Sequence, residues 1–193
     1  FWLKGRLRVF LKWVKDLGVP TAAPLKCLEI GCGNGVVRRQ LEKTTSWEVS
    51  GADLCLRALE MNNTTRGKTY LYDIHDRCHG LKEAFEVVLL FDVLEHIEDP
   101  VSFLRSVFYH LKPGGFLFIN VPALRMLHSP YDDVQGHIQR FEIESLTSVI
   151  QESGAKVIDS RYWNFAFVPL LMARKWRLSK SKHLNTDEVM RAG

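Results

Sequence analysis

Residues 27–35 read Cys27-Leu-Glu-Ile-Gly-Cys-Gly-Asn-Gly35. A short apolar run, Leu25 to Ile30, carries Glu29 near its end and gives way to glycines at 31, 33 and 35. Val36-Val-Arg-Arg-Gln-Leu41 then continues with helical spacing. A strand, a glycine turn and a helix N-terminus, in that order, form the place where an open α/β sheet receives a nucleotide-like ligand. Glycine suits the turn because its backbone angles resist a side chain and because a Cβ would block close approach of the ligand.

The spacing narrows the ligand. A dinucleotide fingerprint places its third glycine three residues after the second, to seat a pyrophosphate and pack the helix on the strand. Here the gap is two, and Glu29 precedes Gly31 by two. A glutamate aimed into the turn repels a pyrophosphate and suits a cation, such as a sulfonium that also carries an ammonium group. Val49-Ser-Gly-Ala-Asp53 reads as a second strand ending in an acid. A carboxylate there can accept both hydroxyls of a ribose.

With those residues in hand, the chain resembles the class I S-adenosylmethionine-dependent methyltransferases over about residues 1–165. Glu29 to Gly35 looks like that family's first motif and Asp53 like its ribose acid. Tyr72-Asp73-Ile74 sits where the family contacts adenine. Phe85 to Pro100, containing Leu94-Glu95-His96, looks like its fourth strand and the helix entry beyond, in the manner of the quinone-type members. Leu111-Lys-Pro-Gly-Gly115 through Pro122 looks like its fifth strand and lead-in. Phe1-Trp2 and Arg6 resemble the opening of glycan-associated members.

The resemblance implies a doubly wound, mostly parallel sheet with helices on both faces, binding S-adenosylmethionine and releasing S-adenosylhomocysteine. It implies backbone contacts at Gly31, Cys32 and Gly33, with Glu29 near the methionine end. Asp53 takes the ribose, Leu54, Asp73 and Ile74 lie at the adenine, and Phe91, Asp92 and Val93 line the methionine side. Arg6, on an N-terminal helix over the donor, forks onto the methionine carboxylate. Asp73 and Asp92 have a second reading as helix caps, and Arg6 as a solvated charge.

Bulk properties set the frame. At 193 residues the chain suits one well-buried domain. Its 46% hydrophobic content suits a packed globule, and no apolar run approaches a membrane span. Cys27, Cys32, Cys55 and Cys78 show no paired-ligand spacing, so a reduced, cytoplasmic protein is expected. Phe1 to Leu17 lacks the clean apolar core of a secretory signal. The net charge of +4 is uneven, with Lys4, Arg6, Arg8, Lys12 and Lys15 at one end and Arg174, Lys175, Arg177, Lys180 and Lys182 at the other. Such termini are solvated faces or meet anionic lipid, glycan or nucleic acid. With no RNA- or protein-recognition module in view, no nucleic-acid partner is expected.

Along the chain, Leu3, Leu7, Phe10, Val14 and Leu17 predict an amphipathic helix within 1–18, ended by Gly18 and Pro20. Strands are expected near 25–30, 47–52, 68–72, 86–91, 116–121 and 156–162. Helices are expected at 35–43, 54–62, 79–84 (short), from the Asp99-Pro100 cap to the Lys112-Pro-Gly-Gly115 stop, and at 142–152. This alternation means parallel βαβ units within a single domain over 1–193. No seventh strand is readable after 165.

Methyl transfer from a sulfonium needs the acceptor atom held about 3–3.5 Å from the methyl carbon. A base is needed only where the acceptor must lose a proton. The aperiodic stretch 122–141 is the acceptor-side candidate, with Tyr131, Asp132, Asp133, His137 and Arg140. Gly136-His-Ile-Gln-Arg-Phe141 resembles a His-x-x-Arg-Phe stretch of relatives. His137 is the first candidate base and His96 the second, each with an alternative role in orienting a loop. No metal is expected. His75, Cys78 and His79 offer only three donors in one loop, and Glu95, His96 and His137 form the other arrangement to test.

Asp92-Val-Leu-Glu95 stands where amino-methylating relatives carry Asn-Pro-Pro-Tyr, which favours an oxygen on a small-molecule, sugar or lipid-linked acceptor. Tyr162 to Ala173, turning basic at Arg174, reads either as a helix packed on the sheet edge or as a lip in peripheral contact with a membrane. A non-catalytic donor-binding subunit and an NAD-type oxidoreductase are the rival functions. The sequence sets no oligomeric state.

Overall fold

The computed structural model describes residues 2–62 and 66–180. Phe1, Lys182 and the side chains of Trp2, Lys4 and Lys180 lie outside what is described. Two compact units are present, residues 1–91 with 103–120, and residues 92–102 with 121–193.

The first unit holds the sheet. Its strands are β1 (Lys26–Ile30), β2 (Glu48–Asp53), β3 (Thr69–Leu71), β4 (Phe85–Phe91) and β5 (Leu111–Asn120). All neighbours are parallel, in the order β3-β2-β1-β4-β5. The order reverses direction between β1 and β4, so the crevice beyond their C-terminal ends is the switch point where open α/β sheets bind ligands. Glu29 and Phe91 stand at those two ends.

Helices α1 (Trp2–Asp16), α2 (Val36–Thr44) and α3 (Leu56–Glu60) belong to this unit, as does all but the first turn of α4 (Pro100–His110). Phe10 of α1 drives into one sheet face, edge-on to Phe91 at 5.3 Å and Phe118 at 5.1 Å. Val14, Val37, Leu41, Trp47, Val49, Val87 and Leu89 complete that core. Leu28, Val88 and Leu90, on the alternate positions, are equally buried, so these strands are apolar on both sides, as parallel strands between layers must be. Trp47 fits into the core because its indole N–H donates to the Pro20 carbonyl at 2.9 Å.

Three boundaries differ from expectation. The helix predicted at 54–62 is only Leu56–Glu60, and the one at 79–84 is a single 3₁₀ turn, His79–Leu81. β5 starts five residues early. Leu111 pairs with Phe85, the ladder resumes at Val87 with Phe116, and Lys112-Pro-Gly-Gly115 bulges between them, where proline has no N–H to give.

The second unit contains α5 (Pro130–Gln135), α6 (Ile143–Glu152) and α7 (Val168–Lys180), with 3₁₀ turns at Leu94–His96, Arg125–Leu127 and Phe165–Phe167. Asp99 caps the start of α4 by accepting from the Ser102 amide at 3.0 Å, as its sequence foretells. The strand expected at 156–162 does not form. The stretch has no ladder partner among the described residues, and Ile158 is 65% exposed, so the alternation has no buried face to serve. Where a seventh strand would be sought, the chain forms α7. No described helix is long and apolar enough to cross a membrane.

Candidate functional site

The first unit builds a cradle at the C-terminal end of β1. Gly31, Gly33 and Gly35 all take positive φ, at 71°, 49° and 74°. The amides of Gly31 and Cys32 both donate to the Ala52 carbonyl, at 2.8 and 3.1 Å. Asp53 Oδ2 accepts from the Gly33 amide at 2.8 Å, and its Oδ1 accepts from the Cys55 amide at 2.8 Å. The acid that ends β2 therefore fixes the turn after β1 and begins its own. Each oxygen keeps a second lone pair for a ligand hydroxyl.

Asn62 had no signal in the sequence. Its Nδ2 donates to the Gly33 carbonyl at 3.1 Å, and a Cβ at Gly35 would overlap its Oδ1. Glycine at 35 is thus required twice, by φ and by space.

Arg38 is the other residue the sequence hid. Completely buried, it donates from Nε to the Val49 carbonyl, from one terminal nitrogen to Asn62 and Thr69, and from the other to the Gly67 and Lys68 carbonyls. It shares the inward face of α2 with Val37 and Leu41, and an arginine on an apolar stripe is the one clue available. The guanidinium satisfies backbone carbonyls of β2 and of the segment leading into β3, which holds the floor of the cradle in place.

Glu29 lies at the floor, 3% exposed, with Oε2 lacking any hydrogen-bond partner. Burial pushes its carboxyl up to about 8, against the lowering influence of the Arg38 and Arg6 charges. At neutral pH it is mostly protonated, so the repulsion expected of a glutamate in the turn is muted until a cation arrives. Arg6 is buried rather than solvated, its guanidinium 5.3 Å from the centroid of the Phe91 ring. Cys32 is not a nucleophile, since burial first and then Glu29 push its thiol up to about 12.

Leu54, Asp73 and Ile74 follow β2 and β3 of the first unit, at the C-terminal edge of its sheet. Ile74 is buried. Asp73 caps its 3₁₀ turn, accepting from the His75 amide at 2.9 Å. Leu54 is 70% exposed, open to a flat ring. Asp92 and Val93 belong to the second unit. Asp92 holds φ at 58°, a strained angle for a non-glycine residue, and Val93 precedes the 3₁₀ turn.

In the second unit the two candidate histidines meet, with ring centroids 4.9 Å apart and planes at 78°. His137 Nδ1 is 3.1 Å from Asp132 Oδ1, and His96 Nδ1 is 2.9 Å from the Gly136 carbonyl. Each partner is an acceptor, so in the neutral ring each Nδ1 carries the hydrogen and each Nε2 the lone pair. Asp132 is fully buried and takes five donors. Besides His137, Oδ1 receives Arg140 Nε at 2.8 Å and Nη2 at 2.7 Å, while Oδ2 receives the Ser129 amide at 2.9 Å and hydroxyl at 3.0 Å. Burial raises its pKa, yet the Arg140 bond and charge, with His137 and Ser129, outweigh that and hold the carboxyl below the usual range.

Glu95, also buried, places Oε1 4.0 Å from His137 Nε2. Among the described residues, Glu95, His96 and His137 are the group whose potential metal ligands converge, all within 4.8 Å of one another. His75, Cys78 and His79 do not form such a group. His75 Nδ1 instead meets the Ser106 hydroxyl at 3.3 Å, and the Cys78 amide donates to the Tyr72 hydroxyl. In the rest of the 122–141 stretch, Tyr131 lies under Arg174 at 4.3 Å and Asp133 faces His128 at 3.7 Å.

Known proteins match this architecture. The family model described as a methyltransferase domain covers residues 2–160. A ubiquinone biosynthesis O-methyltransferase of Ruegeria pomeroyi is 37% identical over 108 residues, 52% of this chain and 43% of that protein. The chain spans less than half the length of the curated relatives it matches. An S-adenosylmethionine-dependent methyltransferase of Mesorhizobium loti superposes with a TM-score of 0.64 at 16% identity, covering 82% of this chain and 89% of that one. A phosphoethanolamine N-methyltransferase of Haemonchus contortus, solved with S-adenosyl-L-methionine, gives 0.66 at 18% identity over 93% of this chain and 46% of that one. At such identities the structural likeness speaks for the fold.

Proposed function

This chain belongs to the methyltransferase-domain family, and from that premise we propose that it transfers a methyl group from S-adenosylmethionine to an oxygen of a small-molecule, sugar or lipid-linked acceptor in the cytoplasm. The observation that carries the reading is the cradle in which Asp53 holds the Gly33 amide beside the buried, half-satisfied carboxyl of Glu29. That cradle fits a ligand with a ribose at one end and an ammonium group at the other. Neutral Glu29 can give its proton up as the cation enters, and Arg6 can reach a carboxylate. The rival pyrophosphate ligand brings no cation to the buried carboxyl of Glu29.

His137 is the group suited to take the acceptor's proton. Asp132 fixes its tautomer, stabilises the imidazolium and leaves Nε2 as the base. The acceptor oxygen attacks the methyl carbon in line, the carbon–sulfur bond breaks, and S-adenosylhomocysteine departs as the proton passes to Nε2. His96 lines the same cluster. The matched Ruegeria protein is named for O-methylation, which supports oxygen as the acceptor atom.

A second reading rests on the convergence of Glu95, His96 and His137. One carboxylate and two imidazoles suit a borderline divalent ion more than magnesium, and Asp132 would act as the outer carboxylate that orients a ligating histidine. In that case His137 is a ligand and not the base.

The test incubates the protein with methyl-labelled S-adenosylmethionine and a panel of phenolic, sugar and prenyl-linked alcohols, with and without a chelator. Label in an O-methylated product supports the reading, and its loss with the chelator selects the metal form. Donor binding without transfer to any acceptor would instead indicate a binding subunit. Absence of donor binding would contradict the reading.

A further inference from the structure

The outward face of α7 is apolar. Leu170 and Trp176 are each 63% exposed, Met172 and Ala173 lie exposed beside them, and Phe165 and Phe167 of the preceding 3₁₀ turn are exposed as well. The inward face is tied down. Leu178 is buried, Arg174 stacks on Tyr131 at 4.3 Å, and Lys175 Nζ donates to the Met126 carbonyl at 2.7 Å. That bond sets Met126, itself 59% exposed, next to the helix. The helix is therefore held with its greasy side out, the reverse of an ordinary surface helix.

Charge decides what covers it. Along α7, from residue 168 to 180, the chain carries Arg174, Lys175, Arg177 and Lys180 and not one Asp or Glu, while Arg161 upstream is paired with Asp159. Arg177 is exposed among the apolar residues of the helix. A second copy meeting this face through its own would set Arg177 against Arg177, with no carboxylate on the helix to pair them. An anionic bilayer surface meets both demands, since acyl boundaries accept Phe, Leu, Met and the indole while phosphates pair with Arg177.

We propose that α7 and the turn before it dock this protein peripherally on anionic lipid, with Phe165, Phe167, Leu170, Met172 and Trp176 entering the headgroup–acyl boundary and Arg177 on the phosphates. The proposal stands whether or not the protein transfers methyl groups. A lipid-linked acceptor would be met at such a surface.

Vesicle co-sedimentation of the full chain tests it, using phosphatidylcholine alone and phosphatidylcholine with a quarter phosphatidylglycerol. The protein is expected to pellet with the anionic vesicles, less so at high salt, and weakly with the neutral ones. Leu170→Ser with Trp176→Ser should lower the partition coefficient at least about tenfold while the circular-dichroism melt stays in place. Arg177→Glu, which leaves the apolar face intact, should weaken binding to anionic vesicles alone. A protein that stays in the supernatant with both vesicles overturns the proposal, as does pelleting indifferent to all three substitutions. A dimer that the double substitution converts to monomer would show that a second copy covers the face, and would overturn it too.

Discussion

The carboxylate of Asp53 and the amide of Gly33, twenty residues apart in sequence, are joined at 2.8 Å. Because the other Asp53 oxygen holds the Cys55 amide, the acid is part of the turn's architecture before any ribose arrives. Asp53→Ala leaves both amides without their charged acceptor and is expected to cost about 2–4 kcal/mol of stability. Asp53→Asn keeps an oxygen for one of them and should cost roughly half as much. Urea unfolding of the two variants separates these outcomes.

Arg38 makes a different kind of demand. Its fork serves the carbonyls of Val49, Gly67 and Lys68 from within the core. Arg38→Leu strands those carbonyls and should destabilise the first unit by more than about 3 kcal/mol. Arg38→Lys should recover little, because one ammonium cannot reach acceptors spread over two segments. Thermal melts of the three proteins check this, and near-wild-type stability of the lysine variant would refute the fork argument.

The contrast between these two residues shows what the sequence carries. Gly31, Gly33, Gly35 and Asp53 were legible because each position is dictated by local backbone geometry at a strand end, where residue type and spacing are the signal. Arg38 and Asn62 were not, because their partners come from β2 and the segment before β3, brought close only by the crossover. The pairing of His137 with Asp132 was likewise hidden, since α5 has six residues and no period to read. Residues 156–162 misled for the opposite reason. Their alternation imitates a strand, but a strand exists only where a neighbour offers a ladder, and none among the described residues does.

Glu29 gives the protein a pH signature. Its carboxyl sits at about 8 when folded and near 4.5 when unfolded. Between those values the folded state holds a proton that the unfolded state has lost, so stability falls as pH rises from about 4.5 to 8 and levels off above. Glu29→Gln should flatten that stretch of the stability–pH curve. If the donor's cation lies at this carboxyl, donor binding near pH 7 releases a proton. Calorimetry in buffers of different ionisation enthalpy reads that release, and Glu29→Gln should abolish it.

In the second unit, Asp132 holds the tautomer of His137. Asp132→Asn can present an amide to Nδ1 and turn the lone pair the wrong way, so kcat is expected to fall about 10²–10⁴-fold with donor affinity unchanged. His137→Gln should fall as far, and the two together little further, because they act as one unit. Because the Asp132 carboxyl is held low by Arg140, His137 and Ser129, acid should inactivate through Asp132 only below the usual carboxylate range. Rate profiles of wild type and Asp132→Asn provide the check.

The most direct measurement of the central claim is isothermal titration of the protein with S-adenosylmethionine and S-adenosylhomocysteine, on wild type and Asp53→Ala. Micromolar binding of both ligands to wild type, weakened at least about tenfold in a variant shown by circular dichroism to be folded, is the predicted result. Failure of wild type to bind either ligand would contradict the account, and the cradle at Gly31–Gly35 would then belong to some other ligand.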